Sequence, residues 1–373
     1  MSIRQLASPP ANGDNRAVKT LRLSVNPAHL DSAEAQQAIS QAARILRAGG
    51  LVAVPTETVY GLGANALDPA AVARIFTAKQ RPAWDPVIVH IAGPVMENSM
   101  LDALVTEVPA AARKLIAAFW PGPLTLLLPR SAAVPDAVTA GRPLIGIRMP
   151  AHPVAFALIR EAGVPVAAPS ANTFGHISPT TAAHVLEDLD GRIDAILDAG
   201  PTQHGVESTV LDPCQSPMIL YRPGAITAAQ IANTAGHVEL FQPAGPLQSA
   251  PREAMASPGV GLRHYAPRAR LVLVDDSLEA LPAALAAIAA QNAGQRIGIM
   301  LPDELAAMAL PAVEVFSWGR WAALDELAGR LYAGLRALDS QGCTVILCPL
   351  PPATGLGAAM RDRLRKAAHP PEE

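Results

Sequence analysis

The stretch from Val54 to Ile91, VPTETVYGLGANALDPAAVARIFTAKQRPAWDPVIVHI, limits what this chain can fold into. It is entered by an apolar run, Leu51 to Val54, set between Gly49-Gly50 and Pro55, with the length and punctuation of a buried strand. A hydroxyl-rich turn follows, Thr56-Glu57-Thr58, and then Tyr60-Gly61-Leu62-Gly63. Asp68 is placed to cap a helix, and Pro69 takes its first position, where a missing N–H costs nothing. Val72, Ile75, Phe76 and Lys79 fall at i, i+3, i+4 and i+7, an apolar stripe that ends in a cation. Pro82 stops the helix, and a second buried strand, Val87 to Ile91, carries His90 near its end. Lys79 and Arg81 therefore leave the helix beside the loops that follow both strands.

Taken singly, each of these residues has an ordinary explanation. Cations in a last helical turn complement the dipole, and a lone strand histidine is commonly structural. Together, two cations, two threonines and a histidine gathered by one strand–helix–strand unit suit an anion, although the spacing is not that of a Walker loop. The segment strongly resembles the YrdC-like family, the threonylcarbamoyl-AMP synthases. The K-x-R pair of that family stands here as Lys79-Gln80-Arg81 and its S-x-N as Ser170-Ala171-Asn172. The block PTETVYGLG matches as well and is more specific than either short motif.

With 373 residues, half of them hydrophobic and 16% charged, the chain can bury a large core, and two domains are expected. No run of apolar residues reaches the length of a membrane span. The N-terminal stretch lacks the apolar core of a signal peptide, so residues 1–30 read as a flexible tail and the protein as cytoplasmic. Cys214, Cys343 and Cys348 form no C-x-x-C pair, which gives neither a disulfide framework nor a zinc site. A formal net charge of −3 argues against RNA binding through bulk charge and leaves room for a local basic pocket.

Along the chain, Asp31 or Ser32 can cap a helix that runs through about Arg47, and a further helix is expected between Pro109 and Phe119. Strands are expected at Leu124–Leu128, Leu144–Arg148, Val164–Ala168, Ile193–Leu197, Glu207–Leu211 and Met218–Tyr221. Ser178 is placed to cap a helix with Pro179 behind it, at the kind of N-terminus that favours phosphate. Strands and helices do not alternate regularly, so a twisted mixed sheet over residues 31–240 is expected rather than a parallel one. Residues 241–269 have the composition of a linker but contain Ser257-Pro258-Gly259 and Arg263-His264-Tyr265-Ala266-Pro267, a polar-aromatic cluster no plain spacer needs. This segment reads as a lid folding onto the cleft. From 270 to 368 the pattern is strand–helix alternation, a smaller Rossmann-like parallel α/β domain with no dinucleotide fingerprint.

The resemblance spans roughly residues 33 to 368 and implies the long, two-domain form of the family. It implies that ATP, L-threonine and bicarbonate give threonylcarbamoyl-AMP and pyrophosphate, a nucleotidyl transfer assisted by Mg²⁺. A downstream transferase would then place the threonylcarbamoyl group on tRNA, with weak tRNA contact possible for the synthase itself. Carried over residue by residue, Lys79 and Arg81 are catalytic. Those two with Asp85, Ser170, Asn172, Ser178, Arg222 and Tyr265 bind ATP, and Thr58, His90, Arg148, Ala168 and Ser208 bind L-threonine. No protein metal ligands are implied. Relatives often carry Asn where Asp85 stands, and an acid there either holds Mg²⁺ or weakens the hold on the nucleotide. The alternative is a double-stranded RNA or tRNA-binding module of the same family without synthase activity.

Overall fold

The computed structural model describes residues 19–95, 98–242, 255, 257, 264–308 and 312–369. Eleven strands of the first lobe form one sheet. From one edge the order is Leu21–Ser24, Ala195–Asp198, Val52–Pro55, Tyr60–Asn65, Val166–Ala167 and Val89–His90. It continues with Leu144–Arg148, Leu124–Pro129, Thr209–Asp212, Met218–Arg222 and Val238–Leu240. Parallel and antiparallel neighbours are mixed, as the irregular alternation of strands and helices predicted. The second lobe holds four parallel strands in the order Arg270–Val274, Val345–Pro349, Ile297–Pro302 and Val313–Gly319.

Local chemistry accounts for the helices that flank the cleft. Ser32 caps the helix Ala33–Arg47 by accepting from Ala35 N. Asp68 accepts from Ala70 N and Ala71 N at the start of the helix Pro69–Lys79, whose Val72 and Ile75 are fully buried. Several expectations are corrected. Tyr60-Gly61-Leu62-Gly63, which follows the expected turn, is part of a strand hairpinned with Val52–Pro55, in the register Pro55↔Tyr60 and Val52↔Gly63. The strand Leu21–Ser24 lies inside the stretch read as a tail and pairs in parallel with Ala195–Asp198, while residues 1–18 lie outside the described ones. Ser178 caps nothing: the helix there is Ala182–Leu189, capped by Thr181. Pro179 lends its carbonyl to Tyr60 N instead, which fixes the Ser178 loop against the sheet. Beyond Pro302, where strand–helix alternation calls for a helix, the described residues form a single 3₁₀ turn, Asp303–Leu305.

The lobes meet along a buried apolar seam. Val59, Ile177 and Val206 of the first lobe share a cluster with Leu327, Leu331, Leu335 and Met360 of the second. Each such leucine contributes about 1.5–3 kcal/mol by leaving water. At the same seam Arg336, its side chain 10% exposed, pairs with the exposed Glu187 at 2.9 Å and with the largely buried Asp188 at 3.0 Å. At Gly205 a Cβ would lie 2.3 Å from Ala328 O, so the first lobe's backbone touches the helix Leu324–Ser340 with no room for a side chain.

Candidate active site

The ends of the central strands open onto one cleft, lined among others by Thr58, Arg81, His90, Arg148, Ser208 and Arg222. His90 and Arg148 are register partners on adjacent parallel strands, so their side chains leave the sheet side by side. The hairpin turn after Pro55 brings Glu57 and Thr58 to the same place. Arg148 Nη2 lies 2.6 Å from Glu57 Oε1, its Nη1 donates to Thr58 Oγ1 at 2.9 Å, and its Nε donates to Gly122 O at 3.3 Å. Both partners of the ion pair have side chains only 4% exposed. Burial alone would raise the Glu57 carboxyl, but the Arg148 charge and hydrogen bonds hold it below its ordinary value. Burial, then the nearby Arg148 charge, push the His90 imidazole down to about 3, so it is neutral at pH 7. Among the described residues its buried Nδ1 has no hydrogen-bond partner.

At the other end of the cleft the helix Pro69–Lys79 closes with Gln80 in the left-handed conformation, φ +54°. That costs a non-glycine residue about 1–2 kcal/mol, and it turns Arg81 away from the helix axis into the cleft. Lys79 and Arg81 thus take different tasks. The Lys79 side chain is buried behind the cleft wall, where its Nζ donates to Ser170 O at 2.6 Å and to Asn172 O. Burial, then the Arg81 charge, hold Lys79 well below its ordinary value. Arg81 donates Nε to Asp85 O at 3.1 Å and Nη2 to Pro86 O at 2.6 Å. It also pairs with Asp85 Oδ2 at 3.0 Å, each side chain 4% exposed. Burial raises the Asp85 carboxyl against the pull of Arg81.

Ser208 and Arg222 stand between these ends. Arg222 donates Nε to Ser208 O at 3.0 Å and Nη2 to Ser208 Oγ at 3.1 Å, and Ser208 Oγ also bonds Thr125 Oγ1 at 2.8 Å. A register shift between Leu220 and Arg222 breaks the ladder at this position and re-aims the arginine.

The residues expected at the site divide accordingly. Thr58, Arg81, His90, Arg148, Ala168, Ser170, Ser208, Arg222 and Tyr265 line the cleft. Lys79, Asp85, Asn172 and Ser178 are buried in the layer behind it, holding the loops in place. Asn172 Nδ2 bridges Thr173 O and His176 O, and Ser178 Oγ donates to Glu207 Oε1 at 2.6 Å.

Of the linker, His264 and Tyr265 reach the cleft, while Pro258 to Arg263 lie outside the described residues. Tyr265 is 2% exposed at φ +64°, stacked on Tyr332 at 5.9 Å between ring centroids, with Arg363 over its face at 5.6 Å. His264 lies between Phe174 and Tyr265, at 5.4 and 4.4 Å. Sequence reasoning passed over Glu57 and Glu207, because their partners, Arg148, Arg363 and Tyr332, are remote in the chain. The available signal was an acid inside an otherwise apolar, hydroxyl-bearing strand end, as in Thr56-Glu57-Thr58 and Glu207-Ser208-Thr209.

Comparison with known proteins bears on the family and the fold. Residues 44–224 match a family described as telomere recombination, and residues 226–369 match the threonylcarbamoyl-AMP synthase C-terminal domain. The chain is 45% identical to the threonylcarbamoyl-AMP synthase of Bacillus subtilis, covering 88% of this chain and 92% of that protein. It is 43% identical to the one of Pyrococcus abyssi, covering 88% and 93%. The crystal structure of P. abyssi Sua5 complexed with L-threonine superposes with a TM-score of 0.85 at 41% identity, covering 94% of this chain and 98% of that one. This chain belongs to the threonylcarbamoyl-AMP synthase family.

Proposed function

We propose that this chain is an L-threonylcarbamoyladenylate synthase, a nucleotidyltransferase joining L-threonine, bicarbonate and ATP. The observation that carries the reading is one cleft with two unlike ends: Arg148 beside Thr58 and His90, and Arg81 beside Ser170 and Arg222. The first end suits an amino acid, since the planar Arg148 fork grips a carboxylate. The second suits phosphates. Threonine's amine takes up bicarbonate with loss of water to give N-carboxythreonine. A carboxylate oxygen of that carbamate then attacks the α-phosphorus, the bond to pyrophosphate breaks, and threonylcarbamoyl-AMP forms. Little of this needs a protein acid or base, so the site contributes chiefly positioning and charge.

In this reading Arg81 and Arg222 bear the charge that builds up on the phosphates, and Lys79 sets the Ser170–Asn172 loop. Mg²⁺ would arrive with the triphosphate. Among the described residues no three His, Cys, Asp or Glu are gathered to hold a cation. Among the described residues the buried Asp85 Oδ1 has no hydrogen-bond partner, and it is the kind of oxygen a hard cation takes. Tyr265, with His264 beside it, covers the adenylate and excludes water, as a lid. The product is then passed to a tRNA threonylcarbamoyl transferase, in a cytoplasmic setting. Among the described residues no helix is long and apolar enough to cross a membrane. Incubating the protein with ATP, L-threonine and bicarbonate should release pyrophosphate and yield threonylcarbamoyl-AMP in equal amounts, by chromatography and mass spectrometry. A folded protein that forms neither product overturns the assignment.

A further inference from the structure

Glu207 lies between two arginines that come from different lobes. From the helix Leu356–Ala367 of the second lobe, Arg363 donates Nε to Glu207 Oε2 at 2.9 Å and Nη2 to Glu207 O at 3.3 Å. The Arg363 side chain is 0% exposed. Tyr332 OH at 3.0 Å and Ser178 Oγ at 2.6 Å also donate to the carboxylate. On the cleft side, Arg222 is bound to Ser208, the very next residue, through both Oγ and O. Glu207 and Arg222 line the same cleft. Burial works to raise the Glu207 carboxyl, and Arg363 first, then Arg222, hold it below its ordinary value, so the field of each arginine reaches it.

We propose that Arg363 is a positioning residue that holds Glu207 away from Arg222, and so reserves the Arg222 guanidinium for an anionic ligand in the cleft. The inference rests on the proposed function only in taking that ligand to be the ATP triphosphate. Two neutral hydroxyl donors offset less of the cost of burying a carboxylate at this depth than a guanidinium does. Without Arg363, Glu207 keeps Tyr332 and Ser178, and the cation beside it is Arg222. The carboxylate–guanidinium fork is the strongest pairing within its reach. Arg222 captured in that way turns from Ser208 and presents to phosphate a neutralised pair in place of a positive charge. The second lobe therefore sets the charge of the cleft without touching a substrate.

A purely mechanical role makes a different forecast. If Arg363 only fastened the lobes together, removing it would loosen both ends of the cleft alike, and removing the Glu207 charge as well would repair nothing. The test uses the full chain, with ATP and L-threonine binding measured separately by calorimetry. Arg363→Met should weaken ATP binding roughly ten- to hundredfold, as for loss of one charged hydrogen-bonded contact, and leave threonine affinity within about twofold. Adding Glu207→Gln to Arg363→Met should return ATP affinity to within about threefold of the parent, because the neutral amide no longer captures Arg222. A double variant that binds ATP as weakly as Arg363→Met, or equal weakening for ATP and threonine, overturns the proposal. Should Arg363→Met fail to fold, the double variant decides alone, near-parental ATP affinity supporting the proposal and lost affinity refuting it. A parent protein that binds no ATP overturns the proposed function and this inference with it. A parent that binds ATP and an Arg363→Met variant that binds it equally well overturn this inference alone.

Discussion

The two ends of the cleft carry their charges differently. At the Arg148 end one buried cation meets one buried acid, Glu57, and His90 beside them is neutral, so the local charge is balanced. At the Arg81 end three cations, Lys79, Arg81 and Arg222, face Asp85, while the second acid, Glu207, is engaged by Arg363 from the other lobe. A balanced, hydrogen-bonded end is ready for a zwitterion without rearrangement. An end with buried excess positive charge is under strain until an anion arrives, and burial records that strain by pulling Lys79 and Arg81 below their ordinary values. Under the proposed function, the first end supplies shape and the second supplies the driving charge.

Breaking the charged end should have the largest effect. Arg81→Ala should lower turnover about 10²–10³-fold, the scale of losing one donor aimed at developing charge, with the loss in ATP rather than threonine parameters. Since Asp85 would be left buried and alone, Arg81→Ala combined with Asp85→Asn provides a second, better-compensated protein. Pyrophosphate release by folded enzyme is the measurement, and near-normal rates in both variants would sink the role given to Arg81.

Threonine against valine probes the balanced end. Hydroxyls that wait unpaired for a substrate hydroxyl can discriminate by about 10⁴-fold. Here Thr58 Oγ1 already bonds Arg148 and Thr56, and Ser208 Oγ already bonds Arg222 and Thr125. Valine would orphan neither, so the expected ratio of kcat/KM values falls to about 10². A ratio near one, or one above 10⁴, contradicts the idea of a site already satisfied in itself.

The smallest effect concerns His90 and pH. Its folded value of about 3 lies below the ordinary 6.5, so the unfolded chain binds the proton more readily. The stability this represents is fully present above pH 6.5 and is lost as pH falls from 6.5 towards 3. Between pH 6.5 and 5 the loss due to this one group is about 2 kcal/mol. His90→Asn should flatten the pH dependence of the unfolding free energy from urea titrations by that amount relative to the parent. Parallel curves for the two proteins would mean that His90 shares its proton equilibrium with the unfolded state.

What the sequence made legible, and what it hid, follows the range of the interactions. Asp68, Pro69 and Ser32 mark helix starts because a cap acts within three residues, and those helices begin where the caps put them. The Val54–Ile91 unit was readable for the same reason. Tyr60-Gly61-Leu62-Gly63 drew no strand assignment because glycines weaken a strand pattern, yet a Cβ on Gly61 would press on Ala168 at 3.2 Å and one on Gly63 on Val52 O at 3.0 Å. The glycines are there for close strand packing, which no local rule exposes. Lys79 and Arg81 read as equivalent, yet the left-handed Gln80 between them sends one into the wall and the other into the cleft. Glu207 stayed hidden because its meaning lies with Tyr332 and Arg363, 125 and 156 positions further along.

That long reach has a consequence for cutting the chain. Severed anywhere between Leu240 and Arg270, the protein would become two pieces, each with a water-shy face and each with half of a buried ion pair. One piece would keep Glu207 without Arg363, the other Arg363 with Asp362 but without Glu207, and Gly205 would no longer lie against the Ala328 backbone. Each half keeps a core of its own, and each is shaped to recognise the other. The fold is thus a ready-made split protein, whose cleft would regain its charge only when the two fragments find one another.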